Sequence, residues 1–214
     1  MSRGLFIVLE GVEGAGKSTQ CRLLASWMEE TGVTFTLARE PGGTPVGEAI
    51  RRVVLDRGDL TMPPETELFL ILGARAAFVR EVVRPALKAG RVVLADRFDL
   101  STLAYQAFGR GLDLEEVRRA NRLATGGLRP DLCLVLDVPP EVGLKRKGAA
   151  GPGDRIEREG PAFFQRVRAG YKALALEEPD VRLVEAGRGP HEVQAAIRRT
   201  LGDLFPETFP ALEV

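Results

Sequence analysis

Gly11-Val12-Glu13-Gly14-Ala15-Gly16-Lys17-Ser18 decides how the rest of this chain is read. It fills every fixed position of the pattern GxxxxGK[ST]. Before it, Leu5 to Leu9 is a short continuous apolar run, as a parallel strand buried on both faces requires. After it, Cys21, Leu24, Ala25 and Met28 recur at helical spacing between Lys17 and Glu30. Strand, glycine loop and helix in that order are the context in which this pattern holds phosphate. The glycines let the backbone curl so that successive N–H groups point inward, and the helix N-terminus adds partial positive charge. Lys17 reaches for the β- and γ-phosphates of a nucleoside triphosphate, and the Ser18 hydroxyl for Mg²⁺. Gly11 to Ser18, with Thr19, is therefore the expected ATP-binding stretch. The loop alone does not separate a kinase from a GTPase, an ATPase or a nucleotide-gated switch.

Outward from the loop, strands and helices alternate. Thr34–Ala38, Val92–Ala95, Leu132–Leu136 and Val181–Val184 read as strands. Helical patterns run over Val46–Leu55, Thr102–Ala107, Leu114–Thr125, Pro140–Lys147, Pro161–Leu176 and Pro190–Leu204. A longer one runs from Pro64 to Lys88, with Pro85 placed to kink its last turn. Such alternation predicts a five-stranded parallel sheet flanked by helices in a single α/β domain over residues 1–214. Right-handed crossovers line the strand ends along one edge, where ligands gather. Gly148 to Asp154 is Gly/Pro-rich and is expected to be mobile, and the tail from about 205 to be loosely attached.

Composition narrows the partners. Lys+Arg and Asp+Glu both number 30, so a general electrostatic grip on nucleic acid is not expected. Only Lys17, Lys88, Lys145, Lys147 and Lys172 are lysines; the rest of the basic side is arginine, whose planar fork suits phosphate. The two cysteines, Cys21 and Cys133, form no metal spacing and read as buried thiols in a reducing cytoplasm. No run is a signal peptide or long enough to span a membrane, so no membrane partner is expected. The lone His191 reads as solvated, and Trp27 as packing.

A GTPase would carry DxxG after a strand and NKxD for guanine, and neither is present. Asp96-Arg97 ends a strand beside the loop. Asp96 is the candidate to hold Mg²⁺, and Arg97 to face an acceptor phosphate. Arg39-Glu40-Pro41-Gly42-Gly43 offers a guanidinium followed by a turn that brings backbone close to a ligand. These features suit phosphoryl transfer to a second, already phosphorylated nucleotide.

Taken in order, the residues resemble thymidylate kinase. The carriers are the acid Glu13 inside the loop, Arg-Glu-Pro-Gly-Gly-Thr44, and Asp96-Arg97-Phe98 followed by Ser101-Thr102 and Ala104-Tyr105-Gln106. Arg129-Pro130-Asp131-Leu132, Leu136-Asp137-Val138 and Asp154-Arg155-Ile156-Glu157 complete them, over nearly the whole chain. The resemblance implies a P-loop NTPase fold with a small mobile lid at about 148–158, and Mg-dependent transfer from ATP to dTMP. It implies that Arg39 and Arg97 hold the dTMP phosphate and that Arg75 reaches a thymine carbonyl. Pro41, Ser101, Thr102 and Gln106 would contact substrate, and Tyr105 would crowd the sugar 2′ position. Glu13 would lie near the sugar 3′-hydroxyl and the metal, and Arg146 would flank adenine. It also implies a homodimer, with the Pro64–Lys88 helix as a candidate interface.

Two departures stand out. Where the family commonly stacks Phe on thymine this chain has Ile71, leaving Phe69 or Phe78 to supply a ring, or aliphatic packing. Gly14 stands where one subgroup places an arginine, so a lid cation is expected in its stead. Lys147, Arg155 and Arg158 remain for that role, and Arg155 is the expected one alongside Lys17 and Arg97. Three readings stay open beside dTMP kinase: a kinase of another nucleoside monophosphate, a nucleotide-binding module without turnover, and a nucleic-acid-dependent ATPase.

Overall fold

The computed structural model describes residues 4–56, 60–148 and 153–209. Five parallel strands form one sheet: β1 Phe6–Glu10, β2 Phe35–Arg39, β3 Val92–Asp96, β4 Leu132–Asp137 and β5 Val181–Glu185, in the order β2-β3-β1-β4-β5. β1 sits centrally, Val8 opposite Ala95 on one side and Cys133 on the other. Buried on both faces along its whole length, it carries no polar residue until Glu10, which ends it. That explains the unbroken apolar run in the sequence.

Helices cover both faces: α1 Lys17–Glu30, α2 Pro45–Arg51, α3 Pro64–Phe78, α4 Arg84–Lys88, α5 Asp99–Thr102, α6 Leu114–Thr125, α7 Pro140–Gly148, α8 Pro161–Glu177 and α9 Pro190–Leu204. Local chemistry sets several ends. Thr44 Oγ1 accepts from Gly47 N at 2.9 Å to start α2, and Asp113 caps α6 through Glu116 N at 2.9 Å. Gly126, at φ 57°, closes α6 in the left-handed region.

Three expected helices continue in a wider, π-helical winding: Arg52–Asp56 after α2, Val79–Val83 between α3 and α4, and Leu103–Gly109 after α5. The long Pro64–Lys88 pattern is thus α3, a π segment and α4 in succession, and Pro85 falls in the first turn of α4, where its missing N–H matters least. π turns shift side chains out of α register and often mark functional walls. The one at Leu103–Gly109 carries Tyr105 and Gln106 to the edge of the sheet.

The start of the tail, up to Phe209, is better anchored than expected. Phe209 is fully buried and stacks on Trp27, ring centroids 5.6 Å apart, with Arg198 on the ring at 5.1 Å. Residues 210–214 lie outside the described residues. Arg118 ties α6 to α8 through Glu177 and Glu178. Cys21 and Cys133 are buried free thiols, His191 is exposed, and none of the described helices is long and apolar enough to cross a membrane.

Candidate active site

A cavity of about 600 Å³ opens over the C-terminal ends of β1, β2 and β3. Its floor is the loop after β1. Gly11, Gly14 and Gly16 all have positive φ, and α1 begins at Lys17 with no side chain capping its N-terminus. Its first amides are left for an anion. Lys17 Nζ donates to the carbonyls of Gly11 (3.1 Å) and Val12 (2.9 Å). Burial, and then Arg97, lower the pKa of that ammonium. An arriving phosphate would reverse the penalty. Ser18 Oγ donates to Asp96 Oδ2 at 2.6 Å, so a hydroxyl and a carboxylate oxygen share one corner of the cavity.

Arg97 organises the middle. It is the one non-glycine residue with positive φ (74°) among the described residues. Its guanidinium donates to Gly11 O (3.0 Å), Ser101 Oγ (3.2 Å), Tyr171 OH (3.3 Å), Tyr105 OH (3.1 Å) and Glu13. Burial opposes its charge, but Tyr105, Glu13, Tyr171 and Glu10 outweigh that and keep it protonated. Behind it Glu10, wholly buried, accepts from Phe98 N (2.8 Å), Ser101 N (3.1 Å), Ser101 Oγ (2.5 Å) and Tyr171 OH (2.7 Å). Glu10 and Tyr171 thus fix the residues that fix Arg97. The sequence singles out neither, since one ends a strand and the other lies mid-helix.

Deeper in, Arg75 is 1% exposed. Nε donates to Glu40 (2.8 Å), Nη1 to Thr102 Oγ1 (2.6 Å) and Asn121 Oδ1 (2.7 Å), and Nη2 to Phe98 O (2.8 Å). Nη2 also lies 2.7 Å from Glu40 Oε2, while Glu40 Oε1 has no partner. Burial pushes the Glu40 carboxyl up to about 7, against the pull of Arg75.

The family model for thymidylate kinase matches residues 9–197. The chain belongs to the thymidylate kinase family. It is 49% identical over 203 residues to the thymidylate kinase of Ectopseudomonas mendocina, covering 94% of this chain and 97% of that one. To that of Symbiobacterium thermophilum it is 47% identical over 206 residues, covering 96% of each. The crystal structure of thymidylate kinase from Ehrlichia chaffeensis superposes with a TM-score of 0.76 at 26% identity, over 93% of this chain and 99% of the other.

Most residues that the family resemblance singled out meet on the one cavity. Glu13 to Thr19, Arg39, Pro41, Ile71, Arg75, Asp96, Arg97, Ser101, Thr102, Tyr105, Gln106 and Arg146 all line it. Gly11 and Val12 lie beneath and contribute carbonyls to Lys17. Arg146 donates to Ala186 O (3.1 Å) at the end bordered by Pro190 and Val193. Arg39 is held by Glu48 at 3.1 Å on the open rim.

Two expected residues are elsewhere. Phe69 is 67% exposed and faces away, because at about 100° per residue it points roughly opposite to Ile71 on α3. It supplies no ring to the cavity, and Phe78 is packed in the core beside Gly43 and Phe98. The wall there is aliphatic, from Ile71, Leu55 and Ile156. Arg155 does not line the cavity either. Its Nε donates to Val54 O (2.7 Å) and its Nη2 pairs with the buried Glu67. Two further side chains expected at the base are committed inside the protein: Arg75 as described, and Gln106, whose Nε2 donates to Glu67 at 2.7 Å.

Of the segment expected as a lid, about 148–158, residues 149–152 lie outside the described residues; the part that follows is a turn capped by Asp154 Oδ1, which accepts from Ile156 N and Glu157 N at 2.9 Å each. Arg51 is a cavity guanidinium that the sequence did not single out. Its Nη1 donates to Pro41 O at 2.9 Å, and burial, then Arg39, lower its pKa. Its only signal was an Arg-Arg pair on a helix, which ordinarily reads as a solvated face.

Proposed function

We propose that this chain transfers the γ-phosphoryl group of ATP to dTMP, giving ADP and dTDP. The observation that carries the reading is one cavity with a phosphate loop at its floor and Arg97 between that loop and the Arg75–Thr102–Tyr105 wall. Two phosphorylated ligands meeting there would do so beside Arg97. The acceptor is a phosphate monoester with a second pKa of about 6, so it is already anionic at neutral pH and needs no strong base. The obstacle is repulsion between two polyanions, which Lys17 and Arg97 offset while holding the reacting atoms in line.

Mg²⁺ fits the corner made by Ser18 Oγ and Asp96, since both offer the hard oxygen ligands it takes. When bound it would neutralise charge on the β- and γ-phosphates. Glu13, paired with Arg97, lies beside that corner. Tyr105, with its hydroxyl on Arg97 and its ring under the guanidinium at 5.0 Å, presents a fixed wall to the sugar. Adenine would lie toward Arg146.

The same reading makes the protein a homodimer working in the cytoplasm. What supports the dimer is α3, whose exposed and half-exposed stripe reads Phe69, Leu70, Gly73, Ala76 and Ala77, next to the exposed Val46 of α2 and Val53 beyond it. Small residues beside one large ring suit close helix–helix approach between copies. What supports the compartment is the pair of free thiols.

The test is ADP release from MgATP with dTMP, dUMP, UMP, CMP, AMP and GMP as acceptors. Strong preference for dTMP upholds the reading. Equal turnover with another monophosphate replaces it with a broader kinase, and nucleotide binding without acceptor-dependent turnover sinks it.

A further inference from the structure

Glu67 is the most heavily engaged carboxylate away from the transfer point. It is 1% exposed, on the first turn of α3, and accepts from three side chains, two at the π segment after α5 and one on the Gly153–Glu159 turn. Oε1 takes Gln106 Nε2 (2.7 Å) and Arg110 Nε (3.1 Å); Oε2 takes Arg110 Nη2 (3.0 Å) and Arg155 Nη2. Arg110 goes on to Glu159, and its guanidinium lies 4.8 Å from the Phe163 ring. Arg155 is held a second and third time, by Nε to Val54 O (2.7 Å) and by its own backbone N–H to Leu55 O (2.9 Å).

We infer that Glu67 is a positioning residue for dTMP phosphorylation, using Arg155 as a strut that fixes the Gly153–Glu159 turn against the π segment that follows α2. One residue beyond that strut Ile156 enters the cavity wall, with Leu55 and Ile71, and Asp154 and Glu157 line it on either side. Gln106, on the same carboxylate, lines the wall from the π segment after α5. A single buried anion therefore sets the spacing of three pieces of the base-side wall. Arg155 acts through Glu67 and not on the transferred group: with Glu67 and Val54 O as partners, its guanidinium is absent from the cavity lining. Removing Arg155 costs Glu67 one of its two guanidinium partners, and removing Glu67 leaves the Arg155 guanidinium on Val54 O without its carboxylate; either change loosens the turn. A loosened wall admits water to compete with dTMP as acceptor, so that ATP would yield ADP and inorganic phosphate.

The inference rests on the kinase reading of the cavity, and its test has one arm that does not. Arg155→Gln, Glu67→Gln and the double variant are compared with the parent protein for dTMP-dependent ADP release and for phosphate release without dTMP. Each single change is expected to lower kcat/KM for dTMP by up to about a hundredfold, mainly through KM, and to raise phosphate release to water. The double variant is expected to match Glu67→Gln, because Arg155→Gln removes only a part of what Glu67→Gln already removes. A large loss of kcat in Arg155→Gln at unchanged KM, with Glu67→Gln near normal, overturns the inference and returns Arg155 to the transfer step. So does full additivity. Independently of turnover, amide hydrogen exchange at Ile156 and Glu157 in the ligand-free Arg155→Gln protein is expected to quicken; unchanged exchange overturns the strut.

Discussion

Gly14 and Gly143 stand backbone to backbone. A Cβ on Gly14 would lie 2.0 Å from Gly143 O, and a Cβ on Gly143 would lie 2.1 Å from Glu13 O. The tip of the phosphate loop is pressed onto the start of α7, and neither partner has room for a methyl group. Gly14 is also held at φ 70°. No arginine side chain can grow from that loop position without moving α7.

Gly143→Ala isolates this contact, since Gly143 itself has no positive φ to lose. The helix must shift or the loop must open. Overpacking of this kind costs about 1–3 kcal/mol. The expected result is a lower melting temperature together with weaker ATP binding, read by calorimetry and titration. A stability loss with ATP affinity intact would mean that the contact does not shape the loop.

Arg97→Lys should fail to replace Arg97. The guanidinium spans Gly11, Ser101, Tyr171, Tyr105 and Glu13 at once, and an ammonium on a single point cannot. Removal of one preorganised donor aimed at developing charge costs about 10²–10³ in kcat. Steady-state kinetics of the Lys and Ala variants should fall within about tenfold of one another, both far below the parent.

Glu40 gives stability a pH dependence with a definite sign. Its carboxyl titrates near 7 in the folded chain against 4.5 when free, chiefly because it is buried, so the folded state binds the extra proton between those values. Stability from this group is therefore full below about pH 4.5 and falls as pH rises towards 7. Asp99, pushed up to about 6 by burial, contributes with the same sign over a lower window. The melting temperature of Glu40→Gln should show a shallower fall across that range than the parent does.

Phe209→Ala should destabilise the fold without touching the chemistry. Phe209 is fully buried on Trp27, and neither ring lines the cavity. Loss of a buried phenylalanine costs about 3–5 kcal/mol. Denaturant titration should show that loss, while kcat at a temperature below the transition stays at the parent value.

Phe69→Glu should break the proposed dimer. The side chain is exposed in a single chain and is the largest on the apolar stripe of α3, so a charge there opposes burial between copies. Light scattering should report a monomer where the parent is a dimer. A parent protein that is itself monomeric would remove the dimer from the reading.

The sequence by itself determined the phosphate loop, the alternation of strands and helices, and the family. These depend on local pattern: an apolar run, a glycine turn with Lys17 and Ser18, and the order of short motifs along the chain. It also placed Asp96 and Arg97 on the site, because they follow a strand end that a parallel sheet aligns with the loop, and Thr102 and Tyr105 through the family resemblance. Only the tertiary structure decided which polar groups satisfy one another. Glu67 gathers residues 39, 43 and 88 positions away, and Glu10 reaches Tyr171 161 positions away. It turned Phe69 outward, took Arg155 off the cavity and brought Arg51 onto it. A buried charge must find its partner wherever the fold brings one near, and that pairing leaves no periodic mark in the sequence.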